Sequence, residues 1–215
     1  MSDRRLVVVT AGLSTPSSSR LLADRIAAAS VAALAERDVE ASVTTIELRE
    51  YARDLMDNLI TGFPSVRLDA MLDDVASADG LIVVTPIFST SYSGLFKTFI
   101  DVLDPKALTG TPVLIGANAG TARHSLAIDY AIRPLFAYLH ADAVPTGVFA
   151  ASSDWGDADG DTVRPLQERV ERAARELAAA MAVRQSKPLA VDPFDPASFG
   201  DGSSVGTMLG GLAGF

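Results

Sequence analysis

Three segments of the chain gather side chains suited to a phosphorylated, flat ligand. The first is Gly12-Leu13-Ser14-Thr15-Pro16-Ser17-Ser18-Ser19-Arg20. It lies between an apolar run and a helical pattern, so its backbone N–H groups and the helix N-terminus favour an anion. Its serine and threonine hydroxyls and its guanidinium can hydrogen-bond a terminal phosphate from several directions. A solvated helix cap would use serines too; it is their density after a strand that points to phosphate. Gly-Lys-Ser/Thr is missing, so this is not a Walker A loop, and the absence of G-x-G-x-x-G disfavours a dinucleotide pyrophosphate site.

The second segment is Thr85-Pro86-Ile87-Phe88-Ser89-Thr90-Ser91-Tyr92-Ser93-Gly94-Leu95-Phe96-Lys97. Pro86 is expected to end a strand. The small polar residues after it leave backbone groups free to meet a flat heterocycle, with Phe88 and Tyr92 placed to bound its plane. Taken alone, these aromatics read as ordinary packing. The third segment is Gly116-Ala117-Asn118-Ala119-Gly120-Thr121-Ala122-Arg123-His124. Its glycines permit close backbone approach. His124 reads as a surface residue in a first helical turn, because no Asp or Ser completes a triad.

The elements that must carry these loops follow from periodicity. Leu6–Ala11, Val43–Leu48, Leu81–Thr85, Pro112–Ala117 and Val144–Phe149 are short apolar runs, read as strands. Helical patterns follow the first (Leu22, Ile26, Ala29, Ala33), precede the third (Leu68, Met71, Leu72, Val75) and follow the third (Leu95, Phe96, Phe99, Leu103). Two more helices are expected over about Arg123–Ala141 and from Thr162 to about Arg184, with Gly62 and Pro64 in a long loop after the second strand. Alternating strands and helices predict an α/β fold, a doubly wound five-stranded parallel sheet of order 2-1-3-4-5. Its ligand belongs at the carboxyl ends of strands 1 and 3, where the winding reverses. Residues 1–185 form this domain, and residues 186–215, rich in Pro and Gly, read as an extended tail.

Composition narrows the chemistry. The chain has 215 residues, of which 48% are hydrophobic and 21% charged, as in a globular domain. It has no cysteine. That removes thiol nucleophiles, Cys-type zinc sites and iron–sulfur clusters, and two histidines argue against a His-rich metal site. No metal is expected. A net charge of −9 argues against a nucleic-acid partner. No apolar stretch reaches spanning length and no secretory signal is visible, so a cytoplasmic location without membrane contact is expected.

Together the three loops resemble the NADPH-dependent FMN reductase family, specifically the flavin reductases of two-component monooxygenase systems, including the alkanesulfonate type. The resemblance rests on Ser14–Arg20, on Thr85–Phe88 with Ser91–Lys97, and on Gly120-Thr121 followed by His124 and Ala127–Pro134. It covers about residues 5–182. It implies a flavodoxin-like fold, FMN with NADPH or NADH as co-substrate, and hydride transfer between them. It also implies a homodimer or homotetramer and a flavin-dependent monooxygenase as partner. Carried onto this sequence, Ser14, Ser17, Ser19 and Arg20 match the phosphate binders. Pro86, Ile87, Phe88, Ser89 and Tyr92 match the shelf under the isoalloxazine, and Asn118, Gly120 and Thr121 the contacts to its other edge. Tyr130 matches a tyrosine in a π-bulge at an oligomer interface, where it modulates flavin exchange. No protein side chain is implied as a catalytic acid or base. Alternatives on the same fold are an FMN-containing quinone or azo reductase, a flavodoxin-type electron carrier and a nonenzymatic binding protein. The sequence departs from the family in reading Asn118-Ala119-Gly120 where Gly-Gly is common, and in its Gly-rich tail.

Overall fold

Continuous apolar strands need cover on both faces, and the sheet provides it. The computed structural model describes residues 3–155 and 165–184; the tail expected over 186–215 and the expected helix start at Thr162 lie outside them. Strand β1 (Asp3–Thr10) pairs in parallel with β2 (Glu40–Glu47) on one side and β3 (Gly80–Phe88) on the other. A short strand, β4 (Ser91–Tyr92), turns back against the end of β3. Strand β5 (Pro112–Ala119) lies on the far side of β3, and two short strands, β6 (Asp142–Ala143) and β7 (Val148–Ala151), both pair with β5. Helices α1 (Ser18–Ala35) and α6 (Leu166–Val183) cover one face. The other face carries α2 (Ala52–Thr61), α3 (Val66–Ala76), α4 (Gly94–Val102) and α5 (Arg133–Tyr138). Alternation along β1 sends Leu6 and Val8 under α1 and α6, and Val7 and Val9 to the opposite core.

The fold is therefore flavodoxin-like in the expected order, with four local corrections. First, the segment expected as a long loop after β2 contains α2. Gly62 (φ 79°) ends this helix in the left-handed conformation, its N–H bonding to the Asn58 carbonyl, as C-terminal glycines commonly do. Second, Pro86 does not end β3. The Val84 carbonyl points to β1, where it accepts from the Ala11 N–H at 2.9 Å, and pairing with β1 stops at Val84. Period two directs the missing N–H of Pro86 to that same vacated edge. The strand continues against β5, with Pro86 opposite Asn118.

Third, the last strand is split. Pro145 donates no N–H, and a Cβ on Gly147 would stand 2.6 Å from Ile128 Cγ2. Thr146 between them gives its N–H and its hydroxyl to the two oxygens of Glu176 on α6, each at 2.7 Å.

Fourth, the helix expected over about 123–141 is broken. A 3-10 turn at Ala122–His124 leads to a π-helical segment, Ile128–Ile132, and then to α5. An α-helix would take an N–H from residue 134 to the Tyr130 carbonyl, and Pro134 has none. The Arg133 N–H instead reaches back to the Ile128 carbonyl, the spacing of a π-turn. The π-segment implied by the resemblance is thus present and includes Tyr130.

At the amino edge of the sheet, Arg4 and Asp79 are buried together, and the Arg4 guanidinium also donates to the Arg184 carbonyl just past α6. Among the described residues no helix is long and apolar enough to cross a membrane.

Candidate functional site

Topology brings the three loops to one edge. Each leaves the carboxyl end of β1, β3 or β5, which are neighbours in the sheet. Two links join them across the strands: the Ala11 N–H to the Val84 carbonyl, and the Ser19 hydroxyl to Asn118 Oδ1 at 2.7 Å.

In the first loop Ser17 caps α1, its Oγ accepting from the Arg20 N–H at 3.2 Å, as a serine at this position commonly does. Helix geometry leaves the first-turn amides of Ser18 and Ser19 without intrahelical acceptors, so they are available to an anion. Ser14, Thr15 and Pro16 are exposed, and the Thr15–Pro16 peptide is cis. Ser19 is buried and spends its proton on Asn118. Gly12 is required by close approach, since a Cβ there would stand 2.0 Å from Ser17 Oγ.

Arg20 is held by two carboxylates, Nε on Asp24 and Nη1 on Glu47, both at 2.8 Å. The hydrogen bond to Asp24 raises its pKa, burial opposes the rise, and the charges of Asp24 and Glu47 add to it.

The second loop is a hairpin rather than an irregular loop. Ile87 and Phe88 pair antiparallel with Tyr92 and Ser91 of β4. Ser89 (φ 47°) and Thr90 (φ 72°) form the two-residue connection, the geometry that Asn-Gly serves without strain. Buried Thr85 accepts the Ser93 N–H on its hydroxyl, and Ser93 in turn caps α4 by accepting from the Phe96 N–H. The hairpin is thereby anchored at its root and strained at its tip. Pro86 and Ile87 are buried, Tyr92 packs its ring on Phe96, and Phe88 stands out at 49% exposure. A β-branched residue in the left-handed region costs roughly 1–2 kcal/mol. Thr90→Gly is therefore expected to raise stability by about 1 kcal/mol, seen as a higher denaturant midpoint at constant slope. An unchanged midpoint would mean that contacts of the threonine side chain offset the strain.

In the third loop Asn118 is half-buried, Gly120 and Thr121 are exposed, and a Cβ on Gly120 would meet nothing within 4 Å among the described residues. Thr121 caps the following turn at Arg123, and among the described residues His124 belongs to no group of side chains that could hold a metal ion. Tyr130 is 80% exposed on the π-segment, which packs beside β4.

The sequence reading missed one cluster. Glu47, the last residue of β2, lies opposite Thr10 at the root of the first loop. Its carboxylate meets Arg20 on one oxygen and Arg49 Nε on the other, at 2.9 Å. Arg49 also places Nη1 on the Ser14 carbonyl (3.4 Å) and on the Thr15 hydroxyl. The strand order 2-1-3 put the end of β2 beside that loop, and a charged pair there was the available signal.

Hydroxyls, helix-terminal amides and guanidiniums at the first loop suit a phosphate monoester. Open backbone at Gly120 and an exposed aromatic at Phe88 suit a flat ring nearby.

Comparison with known proteins gives the same direction. The family model described as NADPH-dependent FMN reductase matches residues 4–156. An FMN reductase (NADPH) of Pseudomonas aeruginosa is 36% identical over 177 residues, 82% of this chain and 92% of that protein. The NADH-dependent FMN reductase SfnF of Pseudomonas fluorescens is 40% identical over 67% of this chain and 76% of its own. Among solved structures, an oxidoreductase from Corynebacterium diphtheriae superposes with a TM-score of 0.81 at 48% identity, covering 86% of this chain and all of that one.

Proposed function

The chain belongs to the NADPH-dependent FMN reductase family, and from that premise we propose that it reduces FMN with NAD(P)H at the carboxyl edge of its sheet. The observation that carries the site is the Ser19–Asn118 hydrogen bond, which fastens the β1 loop to the β5 loop beside Pro86. The β1 loop receives the phosphate through Ser14, Ser17, the first-turn amides of α1 and the Arg20 charge. Ser19 acts chiefly through Asn118, whose amide donors its own proton leaves free for the ring. The β3–β4 hairpin, with Pro86, Ile87, Phe88, Ser89 and Tyr92, supports one side of the isoalloxazine, and Asn118, Gly120 and Thr121 border another. FMN, when bound, supplies hydride acceptance from the nicotinamide. The chain's own residues bind, orient and stack, and none is required as a proton donor.

Phe88, Leu126 and Tyr130 are exposed apolar side chains around the hairpin and the π-segment. Such a surface supports a homodimer or homotetramer in which Tyr130 modulates flavin exchange. The reduced flavin then serves a partner monooxygenase.

Steady-state NAD(P)H oxidation with FMN titrated tests this reading. Oxidation that saturates with added FMN is the expected result. Turnover independent of added FMN but dependent on a quinone would replace it with a bound-flavin quinone reductase. No oxidation of either NADPH or NADH would leave an electron carrier or a binding protein.

A further inference from the structure

Two guanidiniums flank the β1–α1 loop, and the structure engages them differently. Arg20 has Asp24 to itself on Nε and shares Glu47 on Nη1, both at 2.8 Å. Arg49 meets one carboxylate, Glu47, and otherwise donates to oxygens of the loop itself, the Ser14 carbonyl and the Thr15 hydroxyl. A guanidinium offers five donors in a planar fork. In Arg49, Nη1 donates to the loop, Nε lies 2.9 Å from Glu47 without the alignment of a hydrogen bond, and Nη2 has no partner among the described residues. Its side chain is 29% exposed, so the guanidinium that touches the loop is partly open to solvent. The less neutralised cation, already lying on the hydroxyl-bearing strand of the loop, is the better partner for an arriving dianion.

We propose that Arg49 binds the terminal phosphate monoester of the nucleotide that docks on the β1–α1 loop, an inference that rests on the assignment of that loop to phosphate. Arg49 is fixed for this by Glu47, which sits between both guanidiniums at the end of β2. Two phosphates share this chemistry, the 5′-phosphate of FMN and the 2′-phosphate of NADPH. Comparing each with its counterpart lacking the phosphate separates them.

The experiment uses the full chain as wild type, Arg49→Ala and Arg49→Lys. Each is titrated with FMN and with riboflavin by flavin fluorescence, and KM is measured for NADPH and for NADH, with thermal melting alongside. For a 5′-phosphate contact, Arg49→Ala should weaken FMN by about 10- to 150-fold and leave riboflavin unchanged. Arg49→Lys should recover part of the loss, since it keeps the charge but not the fork. A selective rise in KM for NADPH over NADH, with FMN binding intact, would assign Arg49 to the 2′-phosphate instead and uphold the proposal. Equal weakening of FMN and riboflavin with an unaltered NADPH-to-NADH ratio would overturn it and leave Arg49 as a brace for the loop. No change in any of these would overturn it as well. Failure of the underlying assignment looks different: the wild-type protein itself would bind riboflavin as tightly as FMN.

Discussion

Gly12→Ala is expected to leave the sheet folded and to weaken FMN binding by about 150- to 20,000-fold. The added Cβ would stand 2.0 Å from Ser17 Oγ and 3.2 Å from the Cβ atoms of Ser17 and Ser19. Rotating the Ser17 hydroxyl relieves only the first contact, and it removes the cap on the Arg20 N–H, a loss of about 0.5–2 kcal/mol. The two Cβ contacts persist whatever the rotamers, so the loop backbone itself must shift. A shift of a few tenths of an ångström is expected to strain the Ser19–Asn118 bond and to misalign the first amides of α1 for the phosphate proposed to dock there. Losing two charge-assisted hydrogen bonds at roughly 1.5–3 kcal/mol each gives the stated range. The discriminating comparison is again riboflavin, which should suffer far less because the damage is centred on the phosphate. FMN affinity within a few-fold of wild type, in a variant with an unchanged melting temperature, would mean that the loop has room the structure does not show.

Much of this site was legible from the sequence because its supports obey strong local rules. Leu6–Ala11, Leu81–Thr85 and Pro112–Ala117 are mostly apolar and feed both cores, which is what strands covered on both faces require. Their order then places the three polar loops at one edge before any contact is known. Other parts were hidden for identifiable reasons. Helix α2 buries only Leu55 and Asn58 while Met56, Leu59 and Ile60 face outward, so its apolar pattern does not mark an inner face. The β4 hairpin turns on Ser89-Thr90, which adopt positive φ and carry none of the usual turn signal. The strand split at Pro145–Gly147 depends on Glu176, thirty residues away in sequence from Thr146. The π-segment was implied by the resemblance; the residues alone read as a plain helix. Arg49 and Glu47 escaped notice because their meaning is created by the β1–β2 pairing, which sets Glu47 against Thr10. Charge pairs between strand ends are properties of topology, and no local pattern announces them.

Asp79→Ala is expected to lower the stability of the domain by about 3–5 kcal/mol. Asp79 is 1% exposed and stands directly before β3, with Arg4 of β1 at 6%. One Asp79 oxygen accepts the Arg5 N–H at 2.8 Å, and the other faces Arg4 Nη1 at 3.8 Å. Arg184 approaches the same carboxylate: burial lowers its pKa, with Asp79 and Asp142 opposing that effect and Arg4 reinforcing it. Removing the carboxylate therefore takes away the anion beside the buried Arg4 guanidinium and the side-chain acceptor of the Arg5 N–H. Breaking a buried pair costs more than the pair was worth, because the remaining charge is desolvated without compensation. Against a total stability of about 5–15 kcal/mol, such a loss is a large fraction. For a domain of this size it corresponds to a fall in melting temperature of roughly 6–20 °C. Asp79→Asn should fall between the two, since it keeps an acceptor for the Arg5 N–H and loses only the charge. The double variant Arg4→Met/Asp79→Leu should recover most of the stability, because it removes both charges and fills the space with apolar volume. FMN affinity of the folded fraction should be unchanged in all three, since the pair sits at the amino edge and the loops at the carboxyl edge of the same strands. A melting temperature for Asp79→Ala within about 2 °C of wild type would show that water reaches this edge and solvates Arg4 in place of the carboxylate.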